Sequence, residues 1–363
     1  MNRWRDPRVD SQFFFQGYCR GTNSVLVSTS GGSGFIAAHV LDTLLERGHS
    51  VVTTVRSQEK AQKIQDAHPG IQKDRLDFAI VEDIAQPDAF DKAVISDPPF
   101  EAVIHTASPF HFNITDTKKD LLDPAINGTV GILRAIKKST PSVKRVVITS
   151  SFAAIVSNGT APTAVFSEAH WNPITEDEAL LNPSNGYRAS KTFAEKAAWE
   201  FVEKEKPNFT LATCNPPLVF GPVVHYLNSL DAINTSNKGF RDLVTGAAKD
   251  SCPPSGVHLW VDVRDVALAH VLAAEKPEAG GKRFFLVSSN FSYREVVEII
   301  SEAFPELREK LPSGDALKPG DYPAAGSFGF DNQRSKEVLG LTYRPLKETV
   351  LDTVKSLQTV LKQ

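Results

Sequence analysis

The chain has 363 residues, 41% of them hydrophobic, which suffices for one large α/β unit with an appended lobe or for two domains. A formal net charge of -3 gives no support to nucleic-acid or anionic-membrane binding, so the expected partner is a small molecule. No apolar run approaches the roughly 18 residues that a membrane span needs.

Cys19, Cys214 and Cys252 are odd in number and lack metal-ligand spacing. They read as reduced thiols of a cytoplasmic protein, with no metal site. Residues 1–23 contain Phe13-Phe14-Phe15 but no longer apolar core and no small-residue cleavage site. The expectation is a poorly ordered extension rather than a signal peptide.

From residue 25 onward, short apolar runs alternate with helical periods. Residues 25–27 read as a buried strand, 35–47 have helical spacing and stop at Gly48, and 51–55 form a second strand. Strands are expected at 78–81, 102–104 and 145–148, with helices at 86–93 and 121–138. A helix over 187–205 and a strand over 210–214 continue the series. Continuous apolar strands alternating with helices predict an α/β fold whose parallel sheet is covered on both faces.

Beyond Pro216-Pro217 the alternation weakens. Residues 224–256 are loop-rich, 260–270 return to strand then helix, 283–287 read as a strand, and 293–303 and 346–362 as amphipathic helices. The expected division is a nucleotide-binding domain over 24–214 with about 257–280, and a smaller substrate lobe from 215–256 and 281–363.

Ser30-Gly31-Gly32-Ser33-Gly34-Phe35-Ile36-Ala37 joins the first strand to the first helix. Gly31 permits a tight turn, Gly34 lets the backbone approach a pyrophosphate, and the small Ala37 lets the helix pack on the strand. The helix start, with Phe35 and Ile36, offers free N–H groups and the positive end of the dipole to phosphate. The second strand ends at Arg56, with Lys60 one turn on. Cations there suit the 2′-phosphate of NADPH, where a site for NAD commonly carries Asp or Glu. Asp83, after the third strand, is placed to accept from the adenine amino group, with Ile84 beside it.

In Asn185-Gly186-Tyr187-Arg188-Ala189-Ser190-Lys191, Tyr187 and Lys191 stand four apart, one above the other on a helix face. A free phenol has a pKa of about 10. A neighbouring ammonium favours the phenolate and brings the group toward proton transfer at neutral pH.

These pieces together resemble the extended short-chain dehydrogenase/reductases, in particular the dihydroflavonol reductase-like branch with its fungal NADPH-dependent aldehyde and ketone reductases. The resemblance covers residues 24–360. It rests on the glycine loop, on His105-Thr106-Ala107-Ser108-Pro109-Phe110, on Thr149-Ser150-Ser151, on the Tyr187/Lys191 helix, on Asn215-Pro216 with Val219-Phe220-Gly221-Pro222, and on residues 261–267. It implies a Rossmann-type, doubly wound domain with a C-terminal substrate lobe, and hydride transfer between a nicotinamide and a small-molecule carbonyl. The family triad falls on Ser151, Tyr187 and Lys191: Ser151 orients the carbonyl, Tyr187 donates the proton, and Lys191 lowers the Tyr187 pKa while binding the nicotinamide ribose. Thr106, Ala107, Ser108, Pro216 and Val219 join the implied cofactor site, and Phe110, Phe152 and Leu218 the implied substrate pocket. A monomer or homodimer is expected.

One departure stands out: Ser28-Thr29 intervene between the three apolar strand residues and the glycine loop. A slide of the strand by a pair would bury Ser28, so a bulge is the expectation. Two rival functions share the fold. A sugar-nucleotide epimerase/dehydratase or hydroxysteroid-type dehydrogenase would usually hold NAD, and a non-catalytic dinucleotide sensor would typically lose the Tyr/Lys pair.

Overall fold

The computed structural model describes residues 25–108, 115–157, 159–161, 163–225, 227 and 229–362. The expected extension over 1–23 and the pocket candidate Phe110 lie outside the described residues. In chain order the first half runs β1 (Leu26–Ser30), α1 (Phe35–Glu46), β2 (Ser50–Val55), α2 (Gln58–Ala67), β3 (Leu76–Ile80), β4 (Ala102–His105), α3 (Asp123–Ser139) and β5 (Arg145–Thr149). There follow β6 (Val165–Phe166), α4 (Glu176–Ala179), α5 (Pro183–Glu205), β7 (Thr210–Asn215) and β8 (Leu218–Phe220). The remainder is α6 (Lys238–Thr245), β9 (Leu259–Asp262), α7 (Val263–Glu275), β10 (Lys282–Phe285), β11 (Ser289–Asn290), α8 (Tyr293–Ala303), β12 (Gly329–Phe330) and α9 (Leu346–Val360).

Seven strands form one parallel sheet in the order β10-β7-β5-β4-β1-β2-β3. Their side chains are apolar toward both faces because helices cover both. Val27, Val51, Ile104 and Val147 pack with α1 and α7, while Val103, Val146, Ile148 and Leu211 pack with α3 and α5. The chain order reverses between β1 and β4, which opens a crevice at the carboxyl ends of those two strands. The expected doubly wound architecture is what the sheet shows.

The second lobe is built around a three-stranded sheet, β11-β9-β8, with α6, α8 and α9. Its core is aromatic: Phe220 meets Phe240, Trp260 and Phe291 at centroid distances of 4.9–6.0 Å.

Several boundaries differ from expectation. Residues 86–93 make a run of turns instead of a helix. Only Ala89, Phe90 and Ala93 of that stretch reach the core beside α3, too few turns to sustain a helical face. Residues 282–285 pair parallel with β7 as the seventh strand of the large sheet, so they belong with it and not with the second lobe. At Ser28-Thr29 there is no bulge: the strand is longer. Ser28 and Thr29 stay in register with Val52 and Thr53 on one side and Val103 and Ile104 on the other, each 2% exposed. Adding two residues preserves the alternation of faces, so an unbroken ladder costs only the burial of two small hydroxyl side chains.

Candidate active site

The glycine loop turns directly out of β1. Gly31 has φ +76°, and a Cβ on it would lie 3.0 Å from the Ala107 Cα. A Cβ on Gly32 would lie 2.2 Å from the Thr53 hydroxyl. The turn closes with Gly34 N–H donating to the Gly31 carbonyl at 2.9 Å. Gly34 then caps α1 without a side chain, and no acidic residue occupies the first turn. Unclaimed N–H groups at a helix start with no carboxylate beside them form an anion site.

This loop forms one wall of a cleft of about 610 Å³. Among the expected residues, Gly31, Gly34, Phe35, Arg56, Lys60, Ile84, Thr106, Ala107 and Ser108 line it. Arg56 and Lys60 stand across the cleft from nothing acidic but Glu59 and Asp42, and Glu59 is paired with Lys63 at 2.5 Å. A phosphate loop at one wall, an apolar Ile84 and Val81 edge, and two cations beyond it fit a dinucleotide carrying a 2′-phosphate.

Five expected cofactor residues, Ser30, Ile36, Asp83, Pro216 and Val219, are not among those that line this cleft. The Ser30 hydroxyl accepts from Ala107 N–H at 3.1 Å and bonds His105 Nδ1 at 2.8 Å, clamping the ends of β1 and β4 together. Ile36, in the first turn of α1, packs its side chain against the core, which leaves its backbone N–H as the group it offers a phosphate. The Asp83 carboxylate accepts from Gln86 Nε2 at 2.8 Å and Ala85 N–H at 2.9 Å, bonds that hold it below the usual carboxylate range. It therefore caps a turn, and Ile84 is the member of that pair in the cleft. Pro216 offers its carbonyl to Phe152 N–H at 2.8 Å, and Val219 is buried with the large-sheet core.

The second half of the site is mounted on α5. Asn182 caps this helix by accepting from Asn185 N–H at 2.9 Å, and Pro183 occupies its first turn, so helical geometry is established before Tyr187 is reached. Gly186 packs close: a Cβ there would meet the Thr117 methyl at 2.6 Å. Lys191 Nζ donates to the Ser108 hydroxyl at 2.8 Å, which joins α5 to the cleft wall. Burial brings the Lys191 ammonium down to about 8.

Ser151 hydrogen-bonds the Tyr187 side chain, and its hydroxyl also accepts from Ala153 N–H at 3.1 Å as the cap of a single turn, Phe152–Ala154. Burial raises the Tyr187 pKa, and the bond with Ser151 is the influence that opposes the rise. The expected lowering by Lys191 is not what the structure shows, because that ammonium is itself desolvated and turned toward Ser108. Nearby, burial first and Lys191 second bring His105 down to about 3, so the imidazole is neutral and adds no positive charge.

The neighbouring serine has a different task. Ser150 donates to Glu195 Oε2 at 2.5 Å in the interior, which separates its role from that of Ser151. Phe152, expected at the substrate, is 3% exposed and stacks on Phe285 at 5.1 Å with Phe166 edge-on at 5.4 Å. It is core, because the turn that Ser151 caps swings it away from the cleft. Leu218 is half-buried against the second-lobe core.

The sequence profile of the NAD dependent epimerase/dehydratase family matches residues 27–287, most of the chain. The chain belongs to this family. Within it, ketoreductase azaE of Aspergillus niger is 46% identical over 338 residues, covering 93% of this chain and 98% of that protein. NADPH-dependent methylglyoxal reductase GRE2 of Saccharomyces cerevisiae is 40% identical over 341 residues, covering 91% and 97%. Gre2 of Candida albicans in complex with NADPH superposes with a TM-score of 0.82 at 37% identity, covering 93% of this chain and 99% of that one. Thr54, whose hydroxyl accepts from Gly31 N–H at 3.3 Å, was not foreseen, although a polar residue one before the strand end is a signal for it. The second-lobe residues Val224, His225, Leu227, Ala232 and Asn234 line the same cleft.

Proposed function

We propose that this chain reduces an aldehyde or ketone to the alcohol with NADPH, using Ser151, Tyr187 and Lys191. The observation that carries the reading is the bond between Ser151 and Tyr187, made on the helix whose Lys191 is tied at 2.8 Å to Ser108 in the wall of the cleft. NADPH supplies the hydride. The chain's own residues supply the rest: Ser151 hydrogen-bonds the carbonyl oxygen and fixes its direction, and Tyr187 gives that oxygen its proton. Lys191, tied to Ser108, holds the ribose side of the cleft and keeps a positive charge on the helix that carries Tyr187. A phenol raised by burial stays protonated at neutral pH, the state a proton donor needs.

Arg56 and Lys60 favour NADPH over NADH. The second-lobe residues Val224, His225, Leu227, Ala232 and Asn234 are the natural cover for the carbonyl. A panel of α-keto, aliphatic and aromatic carbonyls assayed with NADPH and NADH in parallel tests the reading. NADPH-dependent turnover that drops by about 10²–10⁴-fold in Tyr187→Phe, the range for loss of a general acid, supports it. Turnover preserved in Tyr187→Phe, or a preference for NADH, refutes it. No helix among the described residues is long and apolar enough to cross a membrane.

A further inference from the structure

Glu195 lies four residues beyond Lys191 on α5, so Tyr187, Lys191 and Glu195 form one stripe along the helix face that meets the sheet. Its carboxylate is 2% exposed and fully engaged. Oε1 accepts from Thr213 at 2.8 Å, Arg283 Nε at 2.7 Å and Trp199 Nε1 at 3.3 Å. Oε2 accepts from Ser150 at 2.5 Å, Asn215 Nδ2 at 2.7 Å and Arg283 Nη2 at 3.3 Å. Arg283 is anchored in turn by donating to the Glu168 and His170 carbonyls at 2.6 Å each, and its guanidinium lies 3.6 Å from the centre of the Trp171 ring.

The route from this carboxylate to Ser151 is short and double. Ser150, bonded to Oε2, is the residue before Ser151. Asn215, bonded to the same Oε2, also donates to the Ser151 carbonyl at 3.3 Å. One carboxylate oxygen therefore joins the helix bearing Tyr187 and Lys191 to both backbone neighbours of the Ser151 hydroxyl. A buried charge with six donors has little freedom to shift, because any displacement leaves a desolvated group short of partners.

We propose that Glu195 is a positioning residue: through Ser150 and Asn215 it sets where Ser151 stands relative to Tyr187, and so governs the proton-transfer step without touching substrate. This rests on the triad reading above. Displacement of a reacting group by about 1 Å costs up to about 10²-fold in rate, whereas cofactor affinity, set at the glycine loop and Arg56, is untouched.

Glu195→Ala would strand Arg283 and can fail to fold, so the test uses Ser150→Ala, which removes one donor and leaves the ion pair. Ser150→Ala is expected to lower kcat by about 10- to 100-fold with the Kd for NADPH, read by fluorescence titration, unchanged. In the Ser151→Ala background the same change is expected to cost nothing further, because its effect runs through a hydroxyl already gone. A Ser150→Ala enzyme with wild-type kcat, or an equal loss in both backgrounds, overturns the proposal. If Ser151→Ala alone leaves kcat intact while NADPH binds, it is the triad reading that fails.

Discussion

Lys191 Nζ and the Ser108 hydroxyl stand 2.8 Å apart although 83 residues separate them in the chain. That bond makes the helix carrying Tyr187 and the strand end lining the cofactor cleft a single unit. It also places the ammonium where burial brings it down to about 8, within the range of an ordinary pH–rate experiment.

The carbonyl-reduction kcat/KM should fall as pH rises through about 8, because the reaction needs the ammonium and the protonated phenol together. For stability the sign is the reverse. Lys191 is charged in both states below about 8, where folding bears the cost of desolvating it; between about 8 and its ordinary value of 10.5 the folded state loses the proton first, and this contribution rises with pH. Lys191→Arg, which does not deprotonate in this range, should abolish the limb near 8 at a lower overall rate. A limb that stays near 8 in Lys191→Arg would assign it to another group.

Arg56→Ala and Lys60→Ala should each raise the KM for NADPH by about 10-fold or more, the equivalent of a charge-assisted hydrogen bond of about 1.5–3 kcal/mol. The KM for NADH should move little. Steady-state kinetics with both cofactors decides the point, and parallel weakening of the two would place the cations away from the 2′-phosphate.

Gly32→Ala should lower both the melting temperature and NADPH affinity, because its Cβ falls 2.2 Å from the Thr53 hydroxyl. Thr53→Ala removes the obstructing atoms and should restore much of both in the double variant. Gly31→Ala should not be rescued in this way, since its φ of +76° and the Ala107 backbone remain.

Phe152→Ala should destabilise the fold by about 3–5 kcal/mol, as large-to-small changes in a packed core do. At temperatures where the variant stays folded, its preference among carbonyl substrates should match that of the wild type. A changed substrate order with an unchanged melting temperature would return Phe152 to the pocket.

The sheet was legible because parallel strands buried on both faces leave continuous apolar runs such as residues 102–104 and 146–148, which local pattern alone reveals. The glycine loop and the Tyr187/Lys191 spacing were legible for a similar reason: backbone freedom and helix periodicity are local properties. What failed depended on direction. Ser30 and Asp83 sit beside cleft-lining residues in sequence, but their side chains are taken up by a strand clamp and a turn. Phe152 follows Ser151, yet the turn capped by Ser151 aims it inward. Glu195 carried no signal of its own, since its six donors come from four separate stretches of chain.

The pairing of Glu195 with Arg283 spans 88 residues. As the chain emerges from a ribosome at roughly 5–20 residues per second, the carboxylate waits roughly 4–18 s for its cation. During that interval the whole of α6, β9 and α7 is synthesised, while the main sheet lacks its last strand. The strand that completes the main sheet is thus synthesised after much of the second lobe. A nascent chain that ends before Arg283 contains the glycine loop and the whole of α5, but not the cation that pairs with Glu195.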